Sequence, residues 1–204
     1  EKKSMMSGFH AFWSLGVLLG SIATSLFLEW NISLLNNVII YVIILLPLNI
    51  FIVLRLDIDQ VENKNNKTNI FFIWPLIIFV LALIAMVNAL TEGSVDSWGA
   101  LYMRDFIKVD GFLIGLATVS FNIFMVIGRL SGDWFRDKIG VYNLLTILFS
   151  LSILSLYLLY SYDNIIVAIF GFALLGIGSS AIVPIAYSLA GKVEGIDSGA
   201  AIAI

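Results

Sequence analysis

The sequence has no cysteine, a single histidine (His10) and few charges, with only 12% of its 204 residues being Asp, Glu, Lys or Arg. Without cysteine there is no disulfide framework, no thiolate metal site and no cysteine nucleophile. One histidine cannot build a histidine-rich metal site, so neither a metal nor another cofactor is expected. The formal net charge is −3, with no basic tail and no long acidic run, so no nucleic-acid partner is expected. The scarcity of charge is the most informative of these absences. Soluble domains carry roughly a quarter charged residues, whereas here 60% of residues are hydrophobic and the mean hydropathy is +1.02. No water-soluble fold of this size hides that much apolar surface. A bilayer does, because there the outside of the protein is apolar as well.

A helix crossing roughly 30 Å of hydrocarbon needs about 20 apolar residues. Six such stretches are predicted, at Met5–Leu28, Leu34–Leu54, Ile70–Leu90, Gly111–Leu130, Tyr142–Ser161 and Ile165–Leu189, and a seventh starts near Ser198. The fold class is therefore an all-α, polytopic membrane bundle. The sequence begins at Glu1 and stops at Ile204 inside an apolar run, and it is expected to be a piece of a longer chain. None of the six spans is expected to carry a charge near its middle, with Glu92 closing the third at the outer face. The hydrophilic run Asp57–Asn69 has no apolar period and is predicted to be a flexible linker between two bundles. A second polar segment, Glu92–Asp110, contains Trp98, Leu101, Tyr102, Met103 and Phe106. It is predicted to be an interfacial helix or a broken helix end.

Lysine and arginine set the orientation. With the connections alternating sides, Lys2, Lys3, Arg55, Lys64, Lys67, Arg129, Arg136, Lys138 and Lys192 fall on one side, and Arg104 and Lys108 on the other. The first side is expected to be cytoplasmic and to include the hairpin Arg129–Gly140, so the chain is expected in the inner (cytoplasmic) membrane as a multi-pass protein. Small residues recur four apart: Gly16 with Gly20, Gly111 with Gly115, Gly128 with Gly132, and Gly176 with Ser180. That spacing lets helix backbones approach, either as ordinary packing or as a sliding surface between moving helices. Gly171, Gly176, Gly178 and Pro184 make the sixth span the one expected to bend.

The segment from Gly128 to Gly140, GRLSGDWFRDKIG, lies between two spans and combines Gly128, Arg129, Gly132, Asp133, Asp137, Lys138 and Gly140. Gly140 can take the positive φ that a very short hairpin needs. Arg129 and Asp133, four apart, share a helix face, and Asp137 can approach a neighbouring helix N-terminus. Generic positive-inside charge is one reading of this segment. The order of Gly, Asp and Gly also resembles the cytoplasmic signature loop of the major facilitator superfamily, in the copy between its eighth and ninth helices. Asp133 stands where the signature's opening glycine is usual. Met6–Gly16 resembles the start of the fifth helix, and Glu92–Tyr102 the outer end of the seventh, in bacterial members of the sugar-permease-like branch.

The resemblance implies a twelve-helix fold of two six-helix halves. Residues 1–56 would be the last two helices of the N-terminal bundle and residues 57–69 the cytoplasmic linker. Residues 70–204 would be the first four helices of the C-terminal bundle and the start of the next. It also implies a secondary transporter rather than an enzyme, a proton-coupled symporter of a small polar organic solute such as a sugar, working by alternating access. The signature-loop residues Gly128, Arg129, Gly132, Asp133, Asp137, Lys138 and Gly140 would then be gating residues. Efflux of drugs or metabolites is the alternative, since such carriers share the loop. A polytopic membrane enzyme or a non-transporting sensor are further rivals. The expected partners are the solute, protons and the lipid bilayer, and no oligomer is implied.

Polar groups inside a membrane are costly, so each is a candidate site. Glu92, with Asn88 one turn before it and Asp96 one turn after, could carry a proton or contact solute, or could be an interfacial charge bonded to loop backbone. Asn122, with Ser120, could line a cavity or make an interhelical contact. His10 could relay protons or simply pack.

Overall fold

The computed structural model describes residues 6–55 and 75–193, with side chains from residue 11 onward. The expected linker at Asp57–Asn69 and the span start near Ser198 lie outside the described residues, as do Lys2, Lys3, Lys64 and Lys67. Among the described residues there are helices and no strands. They are α1 (Met6–Glu29), α2 (Leu34–Val53), α3 (Leu76–Asp105), a 3₁₀ turn (Gly111–Gly115), α4 (Leu116–Ile139), α5 (Val141–Ser161), α6 (Ile165–Ser180) and α7 (Ile182–Ala190). Six helical segments are long and apolar enough to cross a membrane, the last being α6 and α7 together. Short links reverse the chain. Asn31 at φ 55° closes the α1–α2 hairpin, and Gly140 at φ 79° alone joins α4 to α5. Ser33 caps α2 by accepting from the Asn36 amide at 3.3 Å, and Asn164 caps α6 by accepting from Ile166 at 2.9 Å and Val167 at 3.3 Å.

Two boundaries differ from expectation. The polar segment after Leu90 does not leave the helix. α3 runs unbroken for 30 residues through Gly93 to Asp105, a length of about 45 Å. Arg129 to Ile139 is likewise not a loop but the last turns of α4, so Arg129 is no surface cation of the cytoplasmic hairpin. In each segment one charged residue, Glu92 or Arg129, faces other helices, and the average hydropathy of a segment does not distinguish that from facing water. The sixth span is interrupted at Ala181, within the stretch where a bend was expected.

The centre of the bundle is α4 packed on α6, with α3, α5 and α7 around them and α1 against α4. Glycine sets these distances. A Cβ on Gly176 would run into the carbonyl of Phe121, one on Gly178 would sit 2.9 Å from the carbonyl of Leu148, and one on Gly132 would sit 3.2 Å from the Ala181 side chain. By contrast a Cβ added to Gly16 or Gly20 would meet nothing within 4 Å, so close packing does not require a glycine at either position here. Hydroxyls join the closely packed backbones. Ser120 donates to Ile169 O, and Ser155 to Gly171 O, both at 2.8 Å, each contributing roughly 0.6 kcal/mol in a bilayer. Apolar filling comes from Val95, Met103, Phe121, Met125 and Phe172 between α3, α4 and α6. A second patch pairs Ile78 and Leu81 of α3 with Ala186 and Ala190 of α7. α2 touches little but α1 and exposes apolar side chains nearly all round. That suits lipid as the surrounding solvent.

The Gly176 contact is backbone on backbone, so the neighbour cannot give way. Gly176→Val is expected to destabilise the full-length protein by about 1–3 kcal/mol through overpacking, read as a lowered thermal midpoint in detergent. Ser150→Val, on the exposed face of α5, should leave the midpoint unchanged.

Candidate functional site

Midway along the bundle, charged and polar groups from α1, α3, α4 and α6 converge. Glu92 lies about 24 Å along α3 from Leu76 and about 20 Å from Asp105. Arg129 lies about 20 Å along α4 from Leu116 and about 15 Å from Ile139. The expectation of spans without central charge is therefore overturned twice, and by one pair. Arg129 Nη2 donates to Glu92 Oε1 at 2.9 Å, with the arginine side chain 2% exposed and the glutamate 24%.

The surroundings fit an ion pair taken out of water. Asn88 Nδ2 donates to the same Glu92 Oε1 at 2.8 Å, one helical turn away on α3. Arg129 Nη1 donates to the hydroxyl of Ser14, which is buried in α1. Arg129 Nε donates to the backbone carbonyl of Ser180 at 3.2 Å, at the end of α6. A planar guanidinium with five donors can serve three helices at once, which an ammonium cannot do in the same geometry. Gly128 makes room: a Cβ there would collide with the Ser180 side chain.

The other expected site residues fall in different places. Asp96 is on α3 but exposed, and it does not join the cluster by any described bond. Asn122 is buried, and its amide donates to Thr118 O at 2.9 Å in its own helix, where either a cavity contact or an interhelical one was expected. His10 lies in α1 one turn before Ser14, and its side chain is outside the described residues. Asp133 does not pair with Arg129. It meets Arg136 at 3.0 Å, while Arg136 also reaches Asp137 at 3.3 Å and Lys138 lies 4.7 Å from the Trp134 ring centre. These charges form a collar on the end of α4, partly buried at Asp133 and Arg136 and exposed at Asp137 and Lys138, that Gly140 closes. Sequence reasoning did not find Ser14 or Ser180. The available signal was Pro184, four residues after Ser180, which removes the amide that would bond the Ser180 carbonyl.

Toward the end of α3 that carries Trp98, a groove of about 870 Å³ opens between α3, α5 and α6. Its lining is largely apolar, with Asn88, Thr91, Ser94 and Ser179 among its polar members. Asn88 thus touches both the groove and the ion pair.

The fold and this site define a multi-pass helical membrane protein with a paired charge at its centre. The whole chain, residues 1–204, matches the family model of the Major Facilitator Superfamily, and the chain belongs to that family. It is 27% identical to an uncharacterised MFS-type transporter of Yersinia pestis over 93% of this chain and 49% of that protein. It is also 27% identical to the uncharacterised transporter y4wD of Sinorhizobium fredii, over 98% of this chain and 53% of the other. Identity to the membrane protein MosC of Rhizobium meliloti is 25%, over 93% and 46%. The chain thus spans about half the length of the curated relatives it matches. No solved structure matches it.

Removing one member of a buried pair strands the other, at a cost of about 3–5 kcal/mol. Arg129→Gln and Glu92→Gln are each expected to lower the thermal midpoint of the detergent-solubilised full-length protein. Arg129→Gln combined with Glu92→Gln should recover most of the loss. Additive losses in the double variant would contradict a direct pair.

Proposed function

We propose that the chain is part of a secondary transporter that moves a small organic solute by alternating access, with Glu92 and Arg129 at the moving centre. The observation that carries this reading is the ion pair itself. A buried charge pair is weak evidence for stability, since apolar replacements of similar volume often do as well. Within a membrane, ionisable groups mark pathways for ions, protons or solute. A pair that also contacts α1 and the break after α6 is placed to sense whether those helices are together.

In this reading the N-terminal end, the linker and the Arg136–Lys138 collar face the cytoplasm, and the membrane is the inner one. The seam between α1 and α4 is where the two bundles meet, with the chain supplying helices five to ten. Coupling to protons would use Glu92: protonation removes its charge and weakens its hold on Arg129. A small polar solute such as a sugar follows from the sugar-permease-like resemblance of Met6–Gly16 and Glu92–Tyr102. The apolar groove beside Asn88 favours a second reading, efflux of a more apolar organic molecule. The collar of Asp133, Asp137 and Lys138, with Gly132 and Gly140, is the gating element in either case.

Two measurements test this. Full-length protein in proteoliposomes is expected to accumulate its solute when a proton gradient is imposed, and Glu92→Gln should abolish gradient-driven accumulation. Undiminished accumulation in that variant would remove Glu92 from coupling, and counterflow of apolar rather than polar solutes would favour efflux. For sidedness, a cysteine at Lys138 should react only with reagent added from the cytoplasm, and one at Lys108 only from the opposite side.

A further inference from the structure

We propose that Arg129 is a positioning residue that holds the break between α6 and α7. It caps the backbone carbonyl that Pro184 strands, and the same guanidinium ties that break to Glu92 of α3 and Ser14 of α1.

The argument starts from the helix ladder. In an unbroken helix the carbonyl of Ser180 would accept from the amide of residue 184. Residue 184 is proline, which has no amide hydrogen and whose ring crowds that carbonyl. α6 accordingly ends at Ser180, Ala181 turns at φ −104° and ψ −1°, and α7 starts at Ile182. The ladder resumes at once, with Ile185 N donating to Ala181 O at 3.0 Å. The stranded carbonyl is deep in the protein, where an unpaired polar group costs several kcal/mol in hydrocarbon. Arg129 Nε supplies the missing donor at 3.2 Å.

A proline alone does not dictate the break. Pro47 sits inside α2 and that helix continues through Val53. At Ala181 the proline coincides with close packing of α4, where Gly128 and Gly132 leave space for Ser180 and Ala181 themselves. The two halves of the span also belong to different neighbours. α6 packs on α4 and α5 through Gly176 and Gly178, whereas α7 packs on α3 through Ala186 and Ala190. A change of angle at Ala181 therefore moves α3 relative to α4 and α5. Arg129 bridges that joint, because its Nη2 holds α3 while its Nε holds the end of α6. Whatever competes for Glu92 alters the grip on the joint through a single side chain.

The test uses full-length protein in nanodiscs, with spin labels on cysteines at Tyr142 (start of α5) and Lys192 (just after α7). Both positions are exposed. The pulsed electron-resonance distance between them reports the angle at Ala181. Because Arg129→Ala alone risks misfolding, the working variant is Arg129→Met with Glu92→Gln, which keeps the interior neutral. With Pro184 present this variant is expected to broaden the distance distribution roughly twofold, as the uncapped joint samples more angles. Adding Pro184→Ala returns an amide to the ladder and should give one narrow distance, with or without the arginine. An unchanged distribution in the first variant overturns the proposal, and so does a broadening that Pro184→Ala does not reverse. No transport is measured, so failure here is distinct from failure of the functional reading.

Discussion

A guanidinium in the middle of a bilayer-spanning bundle must be surrounded by acceptors, and the rest of this structure follows from meeting that demand. Arg129 is 2% exposed. An isolated charge there would cost several kcal/mol even by insertion scales. Its acceptors come from three other helices: a carboxylate on α3, a hydroxyl on α1 and a carbonyl on α6. None of the three helices can move far without breaking one of these bonds. The tight glycine contacts between α4 and α6 serve the same end, since they bring the Ser180 carbonyl within reach of a side chain from α4.

The carbonyl is the unusual acceptor. Backbone groups inside a membrane are normally consumed by their own helix, and they become available only where the ladder is interrupted and the gap faces protein. Here Pro184 makes the interruption and Arg129 fills it. Lysine at position 129 would keep the charge opposite Glu92, but as a compact point charge without the fork that spans carbonyl, hydroxyl and carboxylate. A lysine variant would then separate two roles that arginine combines, charge neutralisation and joint capping.

Much of the fold was legible in the sequence because a bilayer makes strong demands on it. Runs of apolar residues gave six spans, the hairpin at Gly140 was expected from its glycine, and the bend in the last span from its glycines and Pro184. Glu92 and Asn88 were singled out as a pair one turn apart, and they are bonded to each other at 2.8 Å. What was not legible was partnership across helices. Hydropathy averages over all faces of a helix, so Glu92–Asp110 read as an interfacial helix or a broken helix end although α3 continues unbroken to Asp105 with Glu92 turned to Arg129. Arg129 likewise read as a loop cation because it lies eleven residues before Gly140, near the expected end of its span. Only the packing of α3 against α4, and of α4 against α6, shows that the two residues meet.

The seam between α1 and α4 adds one more constraint on how such a molecule could move. At the end bearing the α1–α2 hairpin, the Glu29 carboxylate accepts from the Phe112 amide at 2.9 Å. Close by, Ser25 sits so tightly on Gly115 that no side chain could be added there. Further along, toward the start of α1, Ser14 meets Arg129. Among the described residues these two contacts differ in kind. The end contact is exposed, and its carboxylate can exchange a backbone amide for water at little cost. The Ser14 contact is dry, and breaking it gives up a buried hydrogen bond to a charged group. If α1 and α4 separate, the exposed Glu29–Phe112 contact gives way more readily than the buried Ser14–Arg129 contact. In the proposed cycle the same guanidinium that holds Glu92 would thus also hold α1, so the charge pair and the contact between the bundles would respond to one side chain.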